Sequence, residues 1–98
     1  MELRRASYVV LASLVDRSLH GYAIARAVRE LSDGTVNLTP GTLYGALRRM
    51  TEGGLLEVKS EETVRGRRRR SYRLTDPGRE AVVREAKRLE AAARLVQH

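Results

Sequence analysis

The chain has 98 residues, with 19 Lys plus Arg against 12 Asp plus Glu, for a formal charge of +7. Arginine supplies 17 of the 19 cations, and there is no Cys, Trp or Phe. One small domain is expected, with a core built from Leu, Val, Ala and four Tyr. The missing cysteines exclude disulfides, thiolate nucleophiles and cysteine-ligated metal sites. The longest aliphatic run, Val9 to Ala12, is far short of the ~20 residues that span a bilayer. The N-terminus has no secretory signal pattern. These features predict a soluble, cytoplasmic domain with affinity for polyanions and none for membranes.

In chain order, residues 3–15 repeat apolar side chains at helical spacing, with Leu3, Val10 and Leu14 near one face and Leu11 and Val15 beside them. Asp16 to Gly21 breaks this pattern. A second helix follows from about Gly21 to Ser32, with Ile24, Val28 and Leu31 inward, and Asp33-Gly34 closes it. Thr39-Pro40 reads as the start of a third helix: Thr offers a capping oxygen, and Pro fits the first turn because its missing N–H would have no partner there. Leu43, Leu47 and Met50 form its inward stripe, and Gly53-Gly54 ends it.

Leu55 to Ser60 and Arg70 to Thr75 alternate as strands, with polar Glu61 to Arg69 expected as the loop between them. Thr75-Asp76-Pro77 starts a fourth helix that runs nearly to the end. Its Val82, Ala86, Leu89, Ala93 and Val96 are spaced 4, 3, 4, 3, the seam of a short coiled coil.

This order predicts a mainly α fold with a small β-hairpin. It is that of a winged helix-turn-helix, residues 1–75, followed by a long C-terminal dimerisation helix, residues 76–98. The charge is localised accordingly. Residues 41–75 carry nine cations against four acids, while the two flanking segments are nearly balanced. The dense run Arg65, Arg67, Arg68, Arg69 and Arg70 falls in the wing.

On the third helix, Thr39, Gly41 and Thr42 place free N–H groups and small hydroxyls where a phosphate oxygen can be held. Arg48 and Arg49 turn outward toward phosphates or guanine edges, or remain solvated at a helix C-terminus. Tyr44 either packs at the edge of the core or presents its hydroxyl to the DNA backbone. Gly45 costs ~1 kcal/mol relative to Ala inside a helix, which suggests a close approach there. The final helix is ~30 Å long, as wide as the domain, so its far apolar seam needs a partner, and a second copy is the simplest one. His20-Gly21-Tyr22 reads as structural, with Gly21 turning the chain into the helix. A lone His without neighbouring ligands is a poor metal site, and no metal or cofactor is expected.

These residues carry a resemblance. Leu11-Ala12-Ser13-Leu14, His20-Gly21-Tyr22, Leu38-Thr39-Pro40-Gly41-Thr42-Leu43-Tyr44, Leu47-Arg48-Arg49-Met50, Gly54-Leu55-Leu56 and Arg70-Ser71-Tyr72-Arg73-Leu74-Thr75 with Gly78 resemble short PadR-family transcriptional regulators, from about Tyr8 to Gly78. The resemblance implies a homodimeric repressor on double-stranded DNA with an inverted-repeat operator. It implies that the third helix enters the major groove, the wing touches the backbone or minor groove, and the first and last helices build the dimer. Carried over, Tyr22, Thr39, Gly41, Thr42 and Tyr44 map to the DNA-facing segment, joined by Arg48, Arg49 and Arg67 to Arg70. Leu3 joins Val82, Ala86, Leu89, Ala93 and Val96 at the dimer interface. Gly45 departs from the family pattern, which has Pro there and so leaves the path of the helix after Tyr44 open. The wing is also richer in arginine. Some relatives hold planar drugs between aromatic rings; lacking Trp and Phe, this chain is a poor candidate for that, and a small-molecule effector stays unidentified. The alternative class is a winged-helix module for protein or RNA contacts. An enzyme is not expected, since no nucleophile–base pair, carboxylate constellation or phosphate-cradling loop is present.

Overall fold

The computed structural model describes residues 3–97; Met1, Glu2 and His98, at the ends of the expected ranges, lie outside them. The elements are α1 (Arg5–Ala12), β1 (Leu19–His20), α2 (Gly21–Leu31), α3 (Pro40–Glu52), β2 (Leu56–Val64), β3 (Arg67–Leu74) and α4 (Asp76–Arg94). The fold is the mainly α, winged arrangement expected, with a three-stranded antiparallel sheet in the order β1-β3-β2.

The core lies where the amphipathic stripes of α1, α2 and α3 meet. Val10, Leu11, Ile24, Val28 and Leu47 are fully buried, and Leu14, Leu43 and Leu56 nearly so. Val36, in the α2–α3 connection, closes this core from the side. Ser32 secures that connection: its Oγ donates to Val28 O at 2.8 Å and accepts from Val36 N–H at 2.9 Å. α1 is shorter than the periodicity predicts, ending at Ala12, and Val15 is exposed beyond it. Ser13 ends it by turning its hydroxyl back to Val10 O at 2.6 Å.

Both predicted caps form. Thr39 Oγ1 accepts from Thr42 N–H at 3.3 Å, with Pro40 in the first turn of α3. Thr75 Oγ1 accepts from Gly78 N–H at 3.0 Å and donates to Gly54 O at 2.5 Å, so one hydroxyl caps α4 and ties it to the end of α3. α3 runs unbroken through Gly45 to Glu52, which settles the path after Tyr44. Gly54, at φ +80°, supplies the left-handed step out of α3. The closest backbone approach is at Gly78, where a Cβ would stand 2.0 Å from Leu55 O. That contact fixes the first turn of α4 against the root of β2.

The hairpin differs from the expectation. The stretch Glu61 to Arg69, read as a loop, is mostly strand: Glu61 pairs with Arg70, Glu62 with Arg69, Thr63 with Arg68 and Val64 with Arg67. Only Arg65 and Gly66 turn, at φ +52° and +79°, the two left-handed residues of a primed hairpin turn. Such a turn matches the twist of the strands, and opposite charges then face each other across the ladder. β1 was also not foreseen. Its two residues pair with Tyr72 and Ser71, and such a short strand has no pattern of its own.

Candidate nucleic-acid interface

The N-terminal turn of α3 is open. Thr39, Pro40, Gly41 and Thr42 are all exposed, and Thr39 Oγ1 and Thr42 Oγ1 lie 3.0 Å apart. No acidic residue occupies the first turn of α3, so the positive end of the helix dipole is uncompensated. Arg48 and Arg49 are exposed farther along the same helix. A Cβ at Gly45 would lie 3.4 Å from Arg49 Nη1, an ordinary contact.

Tyr44 joins this helix to α2. A Cβ at Gly21 would lie 2.8 Å from Tyr44 Cε1 and 3.0 Å from its hydroxyl. The ring therefore lies directly over the first residue of α2, yet Tyr44 remains 52% exposed. The ring thus packs on the helix pair, as the first alternative for Tyr44 has it, while about half of the residue faces solvent. Gly21 is needed for that close approach. Its φ is not in the left-handed region, so the turning role expected of it does not apply. Tyr22, next in line, is 74% exposed.

Beside these tyrosines runs an open groove of about 590 Å³. His20 to Ala23 and Tyr44 form one side, and Arg67, Arg68, Arg69, Arg70 and Tyr72 form the other. The structure thus brings together Tyr22, Tyr44 and four of the wing arginines, Arg67 to Arg70. Arg48 and Arg49 do not line this groove.

The wing arginines are not equivalent. Glu61 Oε1 sits 3.2 Å from Arg70 Nε and 3.3 Å from Arg68 Nη1. This bond, with the carboxylate's charge, holds the Arg70 guanidinium above its ordinary value. Glu57 Oε1 accepts from Arg73 Nε at 2.6 Å. Glu62 faces Arg69 in register, but its Oε1 lies 3.3 Å from His20 Nε2 instead. Among the described residues, no carboxylate lies within 4 Å of Arg67 or Arg69. The sequence alone does not single out Glu57, Glu61 or Glu62, and it gives His20 only a structural role. Counting outward from Arg65-Gly66 as a two-residue turn would have paired Glu61 with Arg70. The His20 contact crosses β3 and leaves no local signal.

The profile described as the Transcriptional regulator PadR-like family matches residues 10–84. The chain belongs to that family. The transcriptional regulator Rv3488 of Mycobacterium tuberculosis is 40% identical to it over 87 residues, covering 89% of this chain and 78% of the relative. A PadR family transcription regulator from Clostridium difficile superposes with a TM-score of 0.79 at 26% identity, over 94% of each chain. Bacillus subtilis PadR, solved in complex with operator DNA, shares the fold with a TM-score of 0.70 at 21% identity. That match covers 97% of this chain and 50% of the other.

In this PadR-like chain the apolar face of α4 divides in two. Gly78 and Val82 are buried on the chain's own core, as is Glu85. Leu3 packs against the same core. Of the residues expected on the dimer seam, Val82 is therefore already covered within one chain and Leu3 partly so. Ala86, Leu89, Ala93 and Val96 stay exposed, and Val83 and Leu95 are exposed with them. Arg88 grips both oxygens of the Glu85 carboxylate, Nε to Oε1 at 3.0 Å and Nη2 to Oε2 at 2.6 Å. These bonds hold the Glu85 carboxyl below its ordinary value despite burial, with help from the Leu3 backbone N–H. No helix among the described residues is long and apolar enough to cross a membrane.

Proposed function

We propose that this PadR-like chain is a homodimeric repressor that binds an inverted-repeat operator in double-stranded DNA. The observation that carries this is the shared groove, which sets Tyr22, Tyr44 and Arg67 to Arg70 on one open, cationic face. The exposed N-terminus of α3, with Thr39, Gly41 and Thr42, adds phosphate-binding N–H groups and hydroxyls from the helix that carries Tyr44. An α-helix fits the ~12 Å major groove, so α3 enters it while the wing follows the adjacent backbone. Arg48 and Arg49 add phosphate or guanine contacts from the same helix. That Bacillus subtilis PadR, which shares the fold, is solved in complex with operator DNA supports DNA as the ligand.

In this reading the exposed second half of α4, from Ala86 on, with Leu95 and Val96 just beyond its end at Arg94, is the seam between two copies. The first half of the helix belongs to the DNA-binding domain, on which it packs. Two-fold pairing places two α3 helices one DNA turn apart, so the operator is near-palindromic. The decisive test is selection of bound duplexes from a random pool by the purified protein, repeated with candidate small molecules. An enriched inverted repeat is the expected result. A pool with no enriched repeat would favour a winged-helix module for protein or RNA contacts.

A further inference from the structure

The hairpin carries its own counter-charges, and they are unevenly distributed. Glu61 is shared by Arg68 and Arg70, and Glu57 takes Arg73. An arginine already held by a carboxylate gains little from a phosphate, because it must give up one anion to meet another and releases fewer counterions. Exposed pairs are individually weak, about 0.2–1 kcal/mol. Here, however, strand register brings the partners together, so little extra ordering is needed to keep them paired.

Glu62 is the exception that matters. By register it stands opposite Arg69 and should neutralise it. Instead it reaches across β3 to His20 Nε2. His20 is fixed for that contact by its own pairing with Ser71. Its Nδ1 is buried without a hydrogen-bond partner among the described residues, so Nε2 is the ring nitrogen left to face Glu62, at ion-pair distance.

Taking the DNA-binding reading as its basis, we propose that His20 is a positioning residue that draws Glu62 off Arg69, leaving Arg67 and Arg69 as the phosphate-contacting arginines while Glu61 and Glu57 retain Arg68, Arg70 and Arg73.

The test measures affinity of the full chain for a random-sequence DNA duplex across a range of NaCl concentrations. Each phosphate contact contributes about 0.9 to the slope of log affinity against log salt. R67A/R69A lowers the slope by about 0.9 for each arginine removed, whereas R68A/R70A lowers it by markedly less. H20A lowers it by about 0.9 per protomer, because Glu62 then falls back on Arg69. H20A/E62Q restores the wild-type slope, and H20Q, which keeps an N–H donor, never loses it. A purely structural role for His20 predicts no rescue by E62Q, so that result overturns the proposal. Loss of slope in R68A/R70A equal to that in R67A/R69A also overturns it, as does an unchanged slope in H20A. A wild-type slope near zero would instead bring down the DNA-binding reading and this proposal together.

Discussion

The wing and α4 both project from the same core, and they are finished in opposite ways. The hairpin is complete within one chain: its backbone is paired from Leu56–Leu74 out to Val64–Arg67 but for a bulge at Lys59, its turn uses two left-handed residues, and several of its charges have partners. The far end of the chain is less covered: Leu89 in α4 is 39% exposed, and Leu95 and Val96, just past the helix end at Arg94, are 79% and 80% exposed. A polar element can end in solvent, since water satisfies what the chain does not. An apolar helix face cannot do so without cost, at about 25 cal/mol per Å² left wet. The wing therefore needs no partner to fold, and its free arginines remain available. The exposed end of α4 is where the proposed second copy would gain by covering it.

The largest expected effect lies at the incomplete end. Leu89→Glu puts a charge in the centre of the proposed seam, at a position 39% exposed in the single chain. Folding of one chain should barely change, by about 0.5 kcal/mol or less. The dimer should be lost, and linked binding of two half-sites with it, which costs roughly 100-fold or more in operator affinity. Sedimentation equilibrium and a DNA titration check both. A variant that remains dimeric would show that α4 pairs by another face.

Next comes the joint between the two regions. Gly78→Ala places a Cβ 2.0 Å from Leu55 O, and backbone on backbone cannot yield as a side chain can. Ala gains about 1 kcal/mol of helix propensity at most. Overpacking costs about 1–3 kcal/mol, and a contact this short belongs at the upper end. The net loss should lower the melting temperature on the order of 10 °C. An unchanged melting curve would mean that α4 can lift off β2 without consequence.

What could be read from the sequence follows the same division. Thr39-Pro40, Thr75-Asp76-Pro77 and the Leu43, Leu47, Met50 stripe announced α3 and the start of α4, because caps and helical spacing are local properties. The wing was located correctly but its length was not. Glu and Arg are weak strand formers, so Glu61 to Arg69 looked like a loop. What makes it a ladder is the pairing of residues on opposite strands, such as Glu61 with Arg70. Gly21 was noticed but misread, since the ring that needs its space belongs to Tyr44 in another helix. Glu85 was passed over between the apolar positions of α4. Only the fold shows that it faces inward, with Arg88 curled back onto it.

A smaller effect is expected at the tip of the wing. Gly66 has φ +79° and no atom near its missing Cβ, so Gly66→Ala meets no clash and costs only the left-handed backbone. That is about 1 kcal/mol. The hairpin should fray at its tip, with faster amide exchange near Val64 and Arg67, while the core melts as before. If the core lost as much stability as the tip, the wing would not be a separately finished element.

The smallest effect tests whether the charge on α4 belongs to the domain or to the seam. The carboxyl of Glu85 is held below its ordinary value by Arg88, so its ionised form is favoured more in the folded chain than in the unfolded one. Its stabilisation is therefore fully present above the unfolded value of about 4.5 and is lost as pH falls through the lower folded value. Glu85→Gln removes this contribution. At neutral pH the variant should melt slightly below the wild type, and the gap should close as the pH is taken below about 4.5. Melting curves of the two proteins at matched pH and concentration would show it. Because Glu85 is covered by its own chain, the gap should be the same in the background of Leu89→Glu. A gap that disappears in the monomeric variant would place Glu85 and Arg88 in the dimer seam instead.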